Sequence, residues 1–123
     1  MLADGVPYTH PDELSVQLDL MRSFGDQAPY FDFVTIQSRT TLETLESITD
    51  VRIGAREEER LDAFPAKAAK SPILIFVHGG WWHKTTRKLW DYTANGFHAH
   101  GFAVIVSDYT LCPTVRIPDI THT

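Results

Sequence analysis

Ile73-Leu74-Ile75-Phe76-Val77 and, about thirty residues later, Phe102-Ala103-Val104-Ile105-Val106 are the two stretches that decide the fold. Each is a continuous apolar run of five, too short for a helix and rich in β-branched residues. That is the pattern of a strand buried on both faces of a parallel sheet. Between them Leu89, Trp90, Thr93, Ala94 and Phe97 recur at helical spacing, and His100-Gly101 supplies a C-terminal stop. Strand, helix and strand at this spacing predict one βαβ unit with a right-handed crossover, and hence an α/β chain.

Working upstream, Ile48-Thr49-Asp50-Val51-Arg52-Ile53 alternates as a half-exposed strand does, and Arg60-Leu61-Asp62-Ala63-Phe64 alternates again before Pro65. Gly54-Ala55 and Glu57-Glu58-Glu59 lie between them, so the pair predicts an antiparallel hairpin at the edge of the sheet. Residues 67–72 read as a short exposed linker. Thr40 with Glu43 fits a capping box and predicts a turn or two of helix to about Leu45. Phe31-Asp32-Phe33-Val34-Thr35-Ile36 fits a strand or an extended arm, and the pattern does not choose. Thr9-His10-Pro11-Asp12-Glu13 is a helix start, with proline and two acids in the first turn. Leu14, Leu18 and Met21 follow at helical spacing up to Gly25, which predicts an amphipathic helix over about 11–24. The expected division is a helical or extended arm over 1–47 and the α/β part over 48–123.

The chain has 123 residues, 43% hydrophobic and 22% charged, with a formal net charge of −5, which suits one ordinary globular domain. Residues 1–62 carry 13 acids and 5 bases, the remainder 3 and 6. No basic stripe is present, so binding of nucleic acid by phosphate neutralisation is not expected. No apolar run approaches the roughly 20 residues of a membrane span, and the N-terminus lacks a signal-peptide pattern. The only cysteine, Cys112, has no internal partner, which fits a reducing cytoplasm.

In an open parallel sheet, ligands bind beyond the carboxyl ends of the strands. His78-Gly79-Gly80-Trp81-Trp82-His83 follows Val77 directly. Two glycines allow a sharp turn and bring backbone N–H groups close to a ligand. Such donors in a dry cleft suit the anionic oxygen that develops in acyl transfer. Taken alone, the same residues also fit a Gly-Gly turn that merely leads into the helix.

Residues 61–65, Ile73 to Trp82, and Ser107-Asp108-Tyr109-Thr110-Leu111-Cys112-Pro113 together resemble the α/β-hydrolase superfamily, above all the branch of kynurenine formamidase (arylformamidase) and related carboxylesterases. In that family an apolar third strand ends in His-Gly-Gly and an aromatic pair. The fourth strand ends in Tyr-x-Leu-x-Pro, matched here by Tyr109, Leu111 and Pro113. The likeness covers about residues 48–120. It implies the N-terminal portion of an α/β-hydrolase fold: an edge β-hairpin plus one βαβ unit of a mainly parallel sheet. It also implies a serine hydrolase acting on carboxylic esters or aryl formamides. The N–H groups of Gly80 and Trp81, with Gly79 as a further contributor, would form the oxyanion hole. His78 would brace the loop rather than act as general base, and Trp81 and Trp82 would line the substrate pocket. A cover over the end of the sheet is the other reading of both tryptophans. No cofactor is implied, because acyl transfer by this route needs neither metal nor nucleotide.

The family's nucleophile stands in Gly-x-Ser-x-Gly and is followed by an acid and a histidine. None of Ser15, Ser23, Ser38, Ser47, Ser71 and Ser107 has those flanks, so no triad residue carries over. Ser107 and Asp108, as neighbours on a strand, point to opposite faces and cannot both address His78. A zinc site from His78, His83, His98 and His100 is disfavoured: His98 and His100 diverge near a helix end, and no Glu or Cys stands at a ligand spacing. Cys112 before Pro113 reads as an inert buried thiol. The expectation is therefore the oxyanion half of a hydrolase, inactive and poorly folded by itself, whose bare Ile73 to Val77 edge favours homo-oligomers or aggregation. The other reading is a short non-catalytic binding protein that takes a partner strand on the same edge.

Overall fold

A computed structural model of the protein describes residues 10–19 and 25–122. The chain divides into two units, residues 1–30 and 31–123. In the first, helix α1 (Pro11–Leu18) starts as its sequence dictates: Pro11 lies in the first turn, Asp12 and Glu13 sit at the positive end, and the Asp12 N–H donates to His10 Nδ1 at 3.4 Å. It stops at Leu18, earlier than the spacing predicts, and buries none of its residues. Residues 20–24, Met21 included, lie outside the described residues. Gly25 takes the left-handed conformation, φ +63°.

Helix α2 (Ala28–Thr44) is the main departure from the sequence reading. Phe31 to Ile36 is neither strand nor arm, and Thr40 and Glu43 lie inside this helix instead of opening one. The reason is the spacing of what is buried. Val34, Ser38 and Thr41 recur at i, i+4 and i+7, a single helical face, while Phe33 and Ile36 point to solvent.

Four strands follow: β1 (Ile48–Arg52), β2 (Arg60–Phe64), β3 (Ile73–Val77) and β4 (Ala103–Ser107). They form one sheet in the order β1-β2-β4-β3. The expected edge hairpin β1–β2 is antiparallel, β2 pairs antiparallel with β4, and β3 pairs parallel with β4 from Ile73 opposite Ala103 to Val77 opposite Ser107. The crossover from β3 to β4 runs through a 3-10 turn (Arg87–Leu89) and helix α3 (Thr93–Ala99), closed by Gly101 at φ +85°. A short helix α4 (Ile117–Ile120) follows β4. Among the described residues no helix is long and apolar enough to cross a membrane.

The core is Phe64, Ala94, Val104 and Val106, flanked by Leu42, Leu45, Leu74, Phe76, Trp90 and Phe102. All the strand positions in it share one parity, so α2 and α3 cover one face of the sheet. The expectation that β3 is buried on both faces is therefore corrected. Ile73, Ile75 and Val77 are 64%, 65% and 61% exposed, because no described element covers their face. β3 also stands at the end of the sheet, with one side unpaired among the described residues.

Candidate functional site

Because β3 and β4 run parallel in register, Val77 and Ser107 end at the same edge of the sheet, where open parallel sheets bind ligands. The segment after Val77 turns abruptly. Gly80 has φ +124°, and a Cβ there would stand 2.2 Å from the Lys84 carbonyl oxygen, so only glycine fits. Trp81 and Trp82 follow at φ +53° and +59°, and Thr85 at +69°, three side-chain-bearing residues in the left-handed region. The Gly80 carbonyl accepts the N–H groups of His83 and Lys84 at 3.1 and 3.0 Å. The Trp82 carbonyl accepts the Cys112 N–H at 2.8 Å, which ties the loop to the segment after β4.

An open depression of about 350 Å³ is lined by His78, Gly79, Gly80, Trp81, Trp82 and Tyr109. Among the described residues, no carbonyl or side chain accepts the N–H of Gly80, Trp81 or Trp82. The two indoles meet edge to face, centroids 6.4 Å apart, and both are largely exposed. All five residues that the sequence singled out thus come together at one cavity.

His78 is buried beneath this loop. Its ring stacks on Tyr109 at 4.7 Å, and the Tyr109 hydroxyl donates to the His78 carbonyl at 3.1 Å. His78 Nδ1 lies 2.8 Å from the Gly79 carbonyl, and Nε2 lies 3.1 Å from Asp108 Oδ1. The Ser107 hydroxyl donates instead to the Asp108 carbonyl at 3.1 Å, so the two neighbours do diverge and only Asp108 reaches the histidine. His98 lies elsewhere, with Nε2 3.0 Å from the Pro65 carbonyl. Among the described residues no three His, Cys, Asp or Glu side chains gather as metal ligands.

Under the loop lies a charge cluster that the sequence reading missed. Arg87, only 5% exposed, faces Asp62 at 3.0 Å from Nε, Asp108 from Nη1 and Asp50 from Nη2, and its backbone N–H donates to Asp108 at 2.6 Å. Lys88 adds contacts to Asp62 at 2.9 Å and Asp50 at 3.4 Å. Burial alone would raise the Asp108 carboxyl, but hydrogen bonds from His78 and Arg87 outweigh it and hold the group below the usual carboxylate range. Burial also works against the Arg87 charge, yet Asp108 and Asp62 leave its pKa raised. Asp91 lacks this support. It is fully buried, neither oxygen has a hydrogen-bond partner among the described residues, and burial together with the Asp62 charge pushes its pKa up to about 7. Burial first, then Asp108, likewise raises the Tyr109 phenol.

One signal could have exposed the cluster. Asp62 shares strand parity with the core residue Phe64, so its carboxyl must enter the interior and needs a cation there. A second depression, about 380 Å³, is lined by Gly54, Ala55, Arg56, Glu59, Asp119 and His122. Its buried acid, Glu59, is already bound to Arg56 and to the Thr110 hydroxyl, which leaves it little capacity for a ligand.

No family model matches the sequence. The chain is 29% identical over 94 residues to kynurenine formamidase from Drosophila melanogaster, covering 74% of this chain and 31% of that protein. It superimposes on the crystal structure of a thioesterase, so described provisionally, from a Silicibacter species, with a TM-score of 0.80 and 26% identity over 89% of this chain and 42% of that one. Esterase B from Lactobacillus rhamnosis shares the fold at a TM-score of 0.57 and 19% identity, over 76% of this chain and 34% of that one. The chain spans less than half the length of each of these relatives. This sheet order, this loop after the third strand and these likenesses show that the chain carries the N-terminal part of an α/β-hydrolase fold.

Proposed function

We propose that the loop from His78 to Trp82 is the oxyanion-binding element of a serine hydrolase acting on carboxylic esters or aryl formamides. Gly80 and Trp81 donate their N–H groups to the developing oxyanion, with Gly79 as a further contributor. His78 braces the loop and Trp82 lines the substrate pocket. One observation carries this reading: the N–H groups of Gly80 and Trp81 have no acceptor among the described residues and stand beside a depression of about 350 Å³. Adjacent amides held ready in this way suit a carbonyl oxygen gaining charge, where loss of one donor costs about 10²–10³ in rate. The name of the Drosophila relative favours a formamide substrate; the esterase and the thioesterase favour acyl esters.

The nucleophile in this proposal is a serine outside these 123 residues, so the chain alone turns over neither a p-nitrophenyl ester nor an aryl formamide. The test is a titration of the 15N-labelled chain with methyl phenylphosphonate, a tetrahedral monoanion. The expected result is saturable movement of the Gly80 and Trp81 amide resonances while those of β4 stay in place. Unmoved Gly80 and Trp81 resonances would overturn the oxyanion assignment. Ester turnover above that of a Gly80→Pro variant would overturn the assignment of the nucleophile. A second reading, a non-catalytic module that takes a partner strand along β3, is favoured by the exposure of Ile73, Ile75 and Val77. It expects no phosphonate response and saturable binding of an extended apolar peptide.

A further inference from the structure

Thr85 is in the wrong conformation for its residue type. A β-branched side chain at φ +69° is strained, and glycine or asparagine would sit there more easily. What the threonine does there is visible in its hydroxyl. Oγ1 donates to the Gly79 carbonyl at 2.7 Å, lies 3.0 Å from His78 Nδ1, and accepts from Trp90 Nε1 at 3.5 Å. The Gly79 carbonyl is thereby held by the Thr85 hydroxyl, with His78 Nδ1 2.8 Å away beside it.

That carbonyl and the Gly80 N–H belong to the same peptide group, which is trans and planar, so they point in opposite directions. Fixing the oxygen on the inner side fixes the hydrogen on the other. We propose that Thr85 is a positioning residue: its hydroxyl, clamping the Gly79 carbonyl, orients the Gly80 N–H toward the depression. This rests on the oxyanion reading for its purpose, though not for its geometry. Thr85 does not touch the bound group itself. The strain at its backbone is the cost of placing a hydroxyl within reach of Gly79 from six residues further along the chain.

The test uses the 15N-labelled chain and two readouts. Residual dipolar coupling of the Gly80 N–H reports the direction of that bond without any ligand. Titration with methyl phenylphosphonate reports anion binding. Thr85→Gly removes the hydroxyl and relieves the backbone strain, Thr85→Val removes the hydroxyl and keeps the branched shape, and Thr85→Ser keeps the hydroxyl. The expected result is that the Gly80 coupling falls toward an averaged value in Thr85→Gly and Thr85→Val and is retained in Thr85→Ser. The couplings of Val104 and Val106 should be unchanged in all three, which shows the fold intact. Phosphonate affinity should fall about tenfold in the first two, the worth of one good hydrogen bond, with Thr85→Ser near the parent. Thr85→Gly should at the same time unfold no more easily than the parent, an outcome that a merely structural threonine would not give. An unchanged Gly80 coupling in both Thr85→Gly and Thr85→Val would overturn the proposal. A coupling that depends on the hydroxyl in a chain that binds no phosphonate would uphold the positioning by Thr85 and overturn the oxyanion reading instead.

Discussion

Replacing Asp91 by asparagine should stabilise the protein in alkaline solution and leave it little changed in acid. The carboxyl of Asp91 is wholly buried, and among the described residues no group donates a hydrogen bond to either oxygen. Burial and the charge of Asp62 raise its pKa from 3.8 to about 7, against a partial pull downward from Lys88 and Arg87. Once protonated, Asp91 donates toward Asp62, which favours the neutral form further. The folded state therefore holds a proton that the unfolded chain releases at about pH 4. Between those two values stability falls as the pH rises, by about 1.4 kcal/mol per unit, and the whole loss above pH 7 is on the order of 4 kcal/mol. Asparagine has the same shape and nothing to ionise. Urea unfolding, followed by tryptophan fluorescence at concentrations below those of self-association, measures both proteins at about pH 4.5 and about pH 8. Asp91→Asn minus parent should grow by about 3 kcal/mol between the two. Titrating groups remote from Asp91 contribute to both proteins and cancel in the difference, whereas the coupling to Asp62 is part of what the difference measures. A difference that stays constant with pH to within about 1 kcal/mol would refute the reasoning, because it would mean that the buried carboxyl ionises without penalty.

Two further perturbations address the loop and the edge. Gly80→Ala places a Cβ 2.2 Å from the Lys84 carbonyl at φ +124°, so the turn must open. The expected outcome is a loss of about 1–3 kcal/mol in urea unfolding together with loss of the phosphonate response at Trp81. Ile75→Lys puts a charge in the middle of the exposed face of the end strand. Sedimentation should then report less self-association, with stability within about 0.5 kcal/mol of the parent, and an unchanged sedimentation profile would remove β3 as the association surface.

The strands and the loop are legible in the sequence because their signals are local. A run of five apolar residues, a two-residue alternation and a Gly-Gly pair each state their conformation within a few positions, and β1 to β4 lie where those patterns put them. The face that helix α2 buries is not legible in this way, because much of it is polar. Ser38 accepts the Tyr92 N–H at 3.1 Å, and Thr41 accepts from Asn95 at 2.7 Å while donating to the Gln37 carbonyl at 2.8 Å. Each hydroxyl is buried with its partners satisfied, so hydropathy misses the stripe even though its helical spacing is regular. The apolar run of β3 errs in the other direction. Composition reports that the strand can be buried on both faces; it does not report which elements of these 123 residues reach it, and α2 and α3 both pack on the side of Leu74 and Phe76. The cluster around Arg87 depends on pairs 21 to 37 residues apart, a separation at which no local pattern speaks.

That cluster explains how the loop keeps its shape. Desolvating ions costs several kcal/mol each, so a buried set such as Arg87 with Asp62 and Asp108, to which exposed Asp50 adds a surface contact, adds little net stability over an apolar packing. Removing one partner, however, leaves a buried charge unpaired at a cost of about 3–5 kcal/mol. Such a set favours one arrangement over its neighbours far more than it favours folding as a whole. Asp108 stands at the end of β4 and uses this property in two directions: it takes the backbone N–H and guanidinium of Arg87 on one side and faces the His78 ring on the other. The loop above needs such an anchor, since left-handed backbone at Trp81, Trp82 and Thr85 costs on the order of 1–3 kcal/mol each and persists only where its surroundings over-determine it. Asp108 through His78, the Tyr109 hydroxyl and the Cys112 N–H supply that constraint from outside the turn, and the Thr85 hydroxyl adds one from within it. The turn's own carbonyl at Gly80 takes the N–H groups of His83 and Lys84, and the anchors at the strand end leave those of Gly80 and Trp81 without an acceptor among the described residues.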